Sequence, residues 1–177
     1  MSSGAPCYSR PTERARLQQV HKQWTMYADN PVCYETVLVD GLFEPESTIL
    51  LEAGKSDRDT LRRFVVVDSV VDRLYGEKIR RYFSSHGVDT TIMTMTATEQ
   101  TKNLDSAVRI VEGLDGFGID RRREPVIAIG GGVLLDIVGM AAGLYRRGTP
   151  YIRVPTTLIG LVDAGVGVKT AVNHGQH

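Results

Sequence analysis

Two stretches carry residue types whose spacing suits chemistry on a phosphate-bearing ligand. Gly130, Gly131 and Gly132 follow the apolar run Pro125-Val126-Ile127-Ala128-Ile129 and precede Val133-Leu134-Leu135-Asp136-Ile137-Val138. That order reads as strand, turn and helix. Without Cβ atoms the backbone can approach a ligand closely, and the first free amides of the helix point at it, which suits a pyrophosphate. The spacing is not G-x-G-x-x-G, and glycines serving only a tight turn remain the alternative. Asp136, one helical turn beyond Gly132, is the only charge between Val133 and Leu144. A buried carboxylate needs a partner: a ribose hydroxyl, a bound water, or a helix-packing hydrogen bond.

The second stretch begins with Tyr151-Ile152-Arg153-Val154, a strand, followed by Pro155-Thr156-Thr157-Leu158 as a helix start. Thr156 is either a site hydroxyl or a helix cap. Then comes Asp163-Ala164-Gly165-Val166-Gly167-Val168-Lys169-Thr170. On one continuous helix Asp163 and Lys169 would lie about 240° apart. The intervening glycines let the chain leave the helix, so that acid and base converge on one pocket, with a surface ion pair as the alternative.

These residues need elements to hold them. Residues 1–32 are polar with scattered Tyr and Trp and read as an arm, with a short helix over residues 12–24. From Cys33 to His177, short β-branched runs alternate with amphipathic stretches, the signature of β-α-β units: an α/β, Rossmann-like domain with a mainly parallel sheet and helices on both faces. Residues 34–39 and 47–51 are expected as early strands around a turn at Asp40-Gly41. Arg63-Phe64-Val65-Val66-Val67-Asp68 reads as a buried parallel strand. A helix follows with Leu74, Ile79 and Phe83 inward, then a strand over residues 88–95. The next helix, over residues 103–114, has Leu104, Val108, Val111 and Leu114 on one face.

The 177 residues suffice for one domain with a sizeable core, at 42% hydrophobic and 24% charged. Lys plus Arg equals Asp plus Glu at 21 each, so no excess positive field favours nucleic acid or an anionic membrane. A small metabolite is the expected partner. Cys7 and Cys33 lack metal-ligand spacing, and no disulfide is expected between them. No apolar run is long enough to span a membrane and no signal-peptide core is present, so a cytoplasmic location is expected. Arg121-Arg122-Arg123, flanked by Asp120 and Glu124, reads as a solvated loop.

Taken together, Gly130-Gly131-Gly132-Val-Leu-Leu-Asp136, Tyr145-Arg146-Arg147-Gly148, Val154-Pro155-Thr156-Thr157-Leu158 and Asp163-x5-Lys169-Thr170 resemble, in order and spacing, the dehydroquinate synthase superfamily of sugar phosphate cyclases. Glu99-Gln100-Thr101-Lys102 resembles that family's Glu-x-Thr-Lys segment, and Val65-Val66-Val67-Asp68 its first nucleotide-contacting strand. Dehydroquinate synthase itself typically reads Asp-Ser-Ser-x-Gly-Gly-Lys where this chain has Asp163-Ala164-Gly165-Val166-Gly167-Val168-Lys169, and Thr98 stands where the family usually has glycine. The version here is similar to the branch acting on sedoheptulose 7-phosphate, of the 2-epi-5-epi-valiolone synthase type, which feeds C7-cyclitol natural products.

The resemblance implies a phosphate-eliminating lyase that uses NAD as a transient oxidant, with a divalent metal, zinc or cobalt. Asp68, Glu99 and Lys102 would hold the adenosine portion of NAD, and Gly130, Gly131 and Gly132 would face its pyrophosphate. Asp136, Thr156 and Thr157 would lie towards the ribose and nicotinamide. Asp163 and Lys169 would reach the substrate, and Arg147 the phosphate site of a neighbouring subunit, implying a homodimer. The family's metal ligands lie in a helical domain expected to be absent from this chain, so no residue here is assigned to metal. His21 falls in the arm and His86 at a helix end, and His174 and His177, an i, i+3 pair of the kind that can share a metal in a helix, are read as solvated. A truncated chain of this kind is expected to be catalytically inactive alone, of low stability or self-associating. Rival readings are 3-dehydroquinate synthase, desmethyl-4-deoxygadusol synthase, a metal-dependent alcohol dehydrogenase of the glycerol dehydrogenase type, and a non-catalytic NAD-binding module.

Overall fold

The computed structural model describes residues 16–20, 23–27, 34–53, 61–167 and 169–174. The chain divides into two compact units, Met1–Leu38 and Val39–His177.

In the first unit, β1 (Arg16–Val20) and β2 (Gln23–Tyr27) form an antiparallel hairpin with Val20 opposite Gln23 and Arg16 opposite Tyr27. The helix expected over residues 12–24 is therefore replaced by strands wherever the structure describes it; residues 12–15, 21 and 22 lie outside the described residues. Gln-Trp-Thr-Met-Tyr is rich in types that fit a pleated surface, and a two-residue connection favours a hairpin. Residues 34–38 carry no regular structure.

The second unit opens with a turn at Gly41, where the amide of Glu44 donates to the Gly41 carbonyl at 2.8 Å and Gly41 has φ of +67°. Neither expected early strand forms. Residues 34–39 are irregular, and the second stretch becomes a short helix, α1 (Ile49–Glu52). Arg63 explains the second change. Its guanidinium, fully buried, donates to the carbonyls of Leu50 (3.2 Å), Leu51 (3.0 Å) and Ala53 (2.7 Å). Acceptors that a strand would present to a neighbour are taken by one side chain, and the end of a short helix is capped instead. Burial holds the Arg63 pKa below its usual value, against the opposing fields of Glu124 and Tyr82.

Thereafter the elements are β3 (Arg62–Asp68), α2 (Ser69–Ser85), β4 (Asp89–Met95), a 3₁₀ turn at Glu99–Thr101 and α3 (Leu104–Phe117). They continue with β5 (Val126–Gly130), α4 (Gly132–Leu144), β6 (Tyr151–Pro155) and a π-helical turn at Gly160–Ala164. The sheet is parallel throughout, in the order β4-β3-β5-β6.

Successive strand residues point to opposite faces. Val65, Val67, Ile127 and Ile129 pack with Ile79, Tyr82 and Phe83 of α2, while Phe64, Val66, Val126 and Ala128 pack with α3 and α4. Helices thus cover both faces, and the domain has a Rossmann-like α/β fold. Both expected helix faces hold in part, with Val111 of α3 packing against the core as expected. On α2, Ile79 and Phe83 are buried but Leu74 is 64% exposed, and Tyr82 takes the inward place because its hydroxyl finds the Ser47 carbonyl at 2.9 Å. On α3 the buried side is Ala107, Ile110 and Leu114, leaving Leu104 and Val108 exposed, because small residues let α3 lie close to α4. Among the described residues no helix is long and apolar enough to cross a membrane.

Candidate functional site

Chain order sends β3 through α2 to one edge of the sheet and β5 through α4 to the other, so a crevice opens at the carboxyl ends of β3 and β5. Ligands of open α/β sheets bind at such a switch point. Asp68 ends β3 there. Its Oδ1 accepts from the Val70 amide at 2.8 Å, capping α2, and its Oδ2 accepts from the Ala97 amide at 3.2 Å, tying down the loop after β4.

Gly130 ends β5 beside it. A Cβ on Gly130 would lie 2.6 Å from Leu134 Cδ2 and 3.2 Å from Asp68 Cβ, so the close approach of strand and helix requires glycine. Gly131, extended at φ −77° and ψ 175°, starts α4 with no side-chain cap and no acid in the first turn. The amide donors of this helix start are left for a ligand, and the helix dipole favours an anion. The residues present therefore fit a dinucleotide pyrophosphate.

Asp136 finds its partner in the loop after β4. Lys102 Nζ lies 2.7 Å from Asp136 Oδ2, with side-chain exposures of 19% and 20%. The carboxylate is satisfied by a cation from another element rather than by a helix-packing hydrogen bond. The same loop holds Glu99, whose Oε1 accepts from Asn173 Nδ2 at 2.7 Å. Thr98 is absorbed locally, its amide donating to Thr101 Oγ1 at 2.9 Å while that hydroxyl donates to the Thr96 carbonyl at 2.8 Å. Tyr151, across from Asp136, has its hydroxyl pKa raised, first by burial and further by Asp136, with Arg153 opposing. It remains a neutral donor through the physiological range.

Thr156 and Thr157 are exposed at the end of β6. The capping role falls to Thr157, whose Oγ1 accepts from the Gly160 amide at 3.1 Å, and Thr156 donates its backbone amide to Gly130 at 2.9 Å. The chain leaves the helix where the glycines allow it. The amides of Val166 and Gly167 turn back onto the Asp163 carbonyl at 3.1 and 2.7 Å. Arg153 Nη1 fixes the exit by donating to the carbonyls of Ala164 (2.8 Å) and Gly167. The Asp163 and Lys169 side chains are both exposed, and among the described residues no ion pair joins them.

Arg147 sits in strained backbone. Arg146, Arg147 and Gly148 have φ of 44°, 72° and 105°, and Arg147 is exposed. Left-handed conformations cost a non-glycine residue about 1–2 kcal/mol, and such strain concentrates at functional sites.

Sequence reasoning missed three residues around Lys169. Arg153 was visible as the only charge in an otherwise uncharged strand. Gly139 was visible as a glycine mid-helix: a Cβ there would lie 2.3 Å from Thr170 Cγ2 and 3.0 Å from the Tyr151 hydroxyl. Asn173 gave no local signal. Among the described residues no three His, Cys, Asp or Glu side chains come together. His86 Nδ1 lies 2.8 Å from the Tyr82 carbonyl and His174 is exposed; Cys7, His21, Cys33 and His177 lie outside the described residues.

Comparisons with known proteins agree with this geometry. The family model "3-dehydroquinate synthase N-terminal" matches residues 92–177. A 2-epi-5-epi-valiolone synthase of Streptomyces albus is 60% identical over 89% of this chain and 38% of its own length, and one of Actinoplanes sp. is 54% identical over 87% and 39%. The solved structure of ValA, the 2-epi-5-epi-valiolone synthase of Streptomyces hygroscopicus subsp. jinggangensis with NAD+ and Zn2+ bound, superposes with a TM-score of 0.74 at 43% identity, covering 85% of this chain and 40% of that one. The chain thus spans about two fifths of the length of the relatives it matches. A glycine-run crevice at the sheet's switch point, matched over this much of the chain, makes it similar to the N-terminal region of 3-dehydroquinate synthases and to part of the 2-epi-5-epi-valiolone synthases.

Proposed function

We propose that this chain is the NAD-binding part of a cyclase that converts sedoheptulose 7-phosphate to 2-epi-5-epi-valiolone with loss of phosphate, in C7-cyclitol biosynthesis. The observation that carries this reading is convergence. Asp68 at the end of β3, Lys102 in the loop after β4, and Gly131 and Asp136 of α4 come to one crevice, and Lys102 and Asp136 meet at 2.7 Å. Identity of 60% and 54% to two 2-epi-5-epi-valiolone synthases supports the substrate class.

NAD, when bound, supplies a transient oxidation of a ring hydroxyl that acidifies the neighbouring C–H and is reversed within the turnover. This chain's residues do the holding. Asp68, Glu99 and Lys102 take the adenosine portion. Gly130, Gly131 and Gly132 admit the pyrophosphate to the start of α4. Asp136, Thr156 and Thr157 face the ribose and nicotinamide. Lys169 offers a cation to substrate oxygen or phosphate, and Asp163 orients the substrate. Arg147, held outward by its strained backbone, serves the phosphate site of a second subunit in a cytoplasmic homodimer. On this reading residues 33–177 form the NAD-binding domain and residues 1–32 an arm.

Calorimetric titration tests the nucleotide step. The protein is expected to bind NAD, and Asp136→Asn to weaken that binding about tenfold, the worth of one charge-assisted pair. Equal affinity for the variant would remove Asp136 from the site. Expressed alone, the 177-residue chain is expected to bind NAD without cyclising substrate. In a chain extended to its relatives' length, product from sedoheptulose 7-phosphate but not from 3-deoxy-arabino-heptulosonate 7-phosphate is expected; the reverse preference would favour dehydroquinate synthase.

A further inference from the structure

Residues 169–173 run to the start of α3, fixed by two contacts of their own and by a third just upstream of them. At one end Arg153 holds the carbonyls of Ala164 and Gly167. In the middle Thr170 lies against Gly139 of α4, where a Cβ would approach Thr170 Cγ2 to 2.3 Å. At the far end Asn173 makes a double attachment to the nucleotide loop. Its backbone amide donates to the Lys102 carbonyl at 2.8 Å, and its side-chain Nδ2 donates to Glu99 Oε1 at 2.7 Å. A parallel bridge between Asn103 and Asn173 completes the junction.

We infer that Asn173 is a positioning residue that couples the NAD loop to the segment carrying Lys169. Asn173 touches both residues assigned to the adenosine side: Glu99 through its side chain, Lys102 through its backbone. Lys169 is exposed and lies four residues upstream, between this attachment and the Arg153 clamp. Whatever fixes Glu99 and Lys102 therefore also fixes the backbone from which Lys169 projects. Because coupling between sites is reciprocal, NAD on the loop should order residues 169–173, and losing the Asn173 contact should weaken NAD.

Asparagine is suited to this role. Its amide donates to the Glu99 carboxylate, whereas aspartate of the same shape would set two carboxylates against each other. Combining Glu99→Gln with Asn173→Asp reverses the polarity of both partners and restores the bond, the amide now donating from position 99 to a carboxylate at position 173. That swap separates a specific contact from general destabilisation.

The inference rests on the NAD reading above, so NAD affinity of the unaltered protein is measured first. Asn173→Asp is expected to raise the NAD Kd about tenfold, as for loss of a charge-assisted hydrogen bond with added repulsion. In the Glu99→Gln background the same substitution should cost less than about threefold. Asn173→Ser, which removes the amide without adding charge, should fall between. Hydrogen exchange supplies a readout independent of affinity. NAD should slow exchange in the peptide containing residues 169–174 of the unaltered protein. In Asn173→Asp that protection should be lost while protection around Gly131 persists. Equal Asn173→Asp penalties in both backgrounds, or undiminished NAD protection of residues 169–174 in that variant, would overturn the coupling alone. An unaltered protein that fails to bind NAD would overturn the nucleotide reading and the coupling with it.

Discussion

A glycine inside a helix costs about 0.5–1 kcal/mol relative to alanine, yet Gly139 stands in the middle of α4. Its surroundings explain why: the space a methyl group would fill is held by Thr170 Cγ2 and the Tyr151 hydroxyl. Thr170 follows Lys169, so the notch decides how close the Lys169-bearing segment lies to α4. Gly139→Ala therefore sets a gain in helix propensity of about 1 kcal/mol against overpacking of about 1–3 kcal/mol. A net loss is expected, seen as a lower urea midpoint. Adding Thr170→Ser removes the clashing methyl and should recover most of it. If Gly139→Ala is as stable as the unaltered protein, residues 169–173 are held less tightly than these contacts require. Asp136 teaches a related lesson. The sequence shows that this lone carboxylate needs a partner, but the partner, Lys102, comes from a different loop and carries no local mark of its destination.

At the scale of elements, α2 is fastened to β4 by one carboxylate. Asp72 Oδ1 lies 2.8 Å from Arg80 Nη1, and its Oδ2 accepts from Thr94 Oγ1 at 2.8 Å. The Arg80 guanidinium beside it, aided by Thr94 and opposed by burial, lowers the Asp72 pKa. A carboxylate depressed in the folded state contributes stability that is present above its unfolded pKa, about 3.9, and is lost as pH falls through the folded value. Asp72→Asn should thus lower the melting temperature at pH 7, and the difference should shrink as pH drops below about 4. A constant difference across that range would show that the contact acts through packing rather than charge.

Which elements were legible follows from where their determinants lie. β3 and β5 were readable because a strand buried on both faces is a continuous apolar run. The stretch at residues 47–51 was misread because its fate depends on Arg63, a buried cation on another element. The face of α2 was misread at Leu74, and Tyr82 was not foreseen there, because a tyrosine can turn inward once its hydroxyl meets a carbonyl, here that of Ser47. The glycine-run part of the site was legible as a local strand-turn-helix; the attachments of residues 169–173 were not, since Arg153, Gly139 and Asn173 act across the fold.

For the whole molecule, the nucleotide crevice and the exposed apolar surface lie on neighbouring stretches of chain. Leu158, Ile159, Leu161 and Val162 are 75%, 70%, 48% and 63% exposed, directly after Thr156 and Thr157. On the proposed reading NAD favours the folded state by mass action, about 2.7 kcal/mol at a hundred times its Kd, so melting temperature should climb with the logarithm of NAD concentration. The apolar surface acts in the opposite sense. A contiguous patch of this kind marks an interaction surface or an association liability, and with Lys plus Arg equal to Asp plus Glu at 21 each there is no net charge to keep copies apart. Expressed alone, the 177-residue chain is therefore expected to sediment as dimers or larger species whose proportion rises with protein concentration. Leu158→Ser combined with Ile159→Ser should shift it towards monomer. Leu74→Ser, which removes another well-exposed leucine, from α2, should not. If both variants sediment like the unaltered chain, association runs through another surface. If Leu74→Ser alone dissociates it, the face of α2 is the one that copies share.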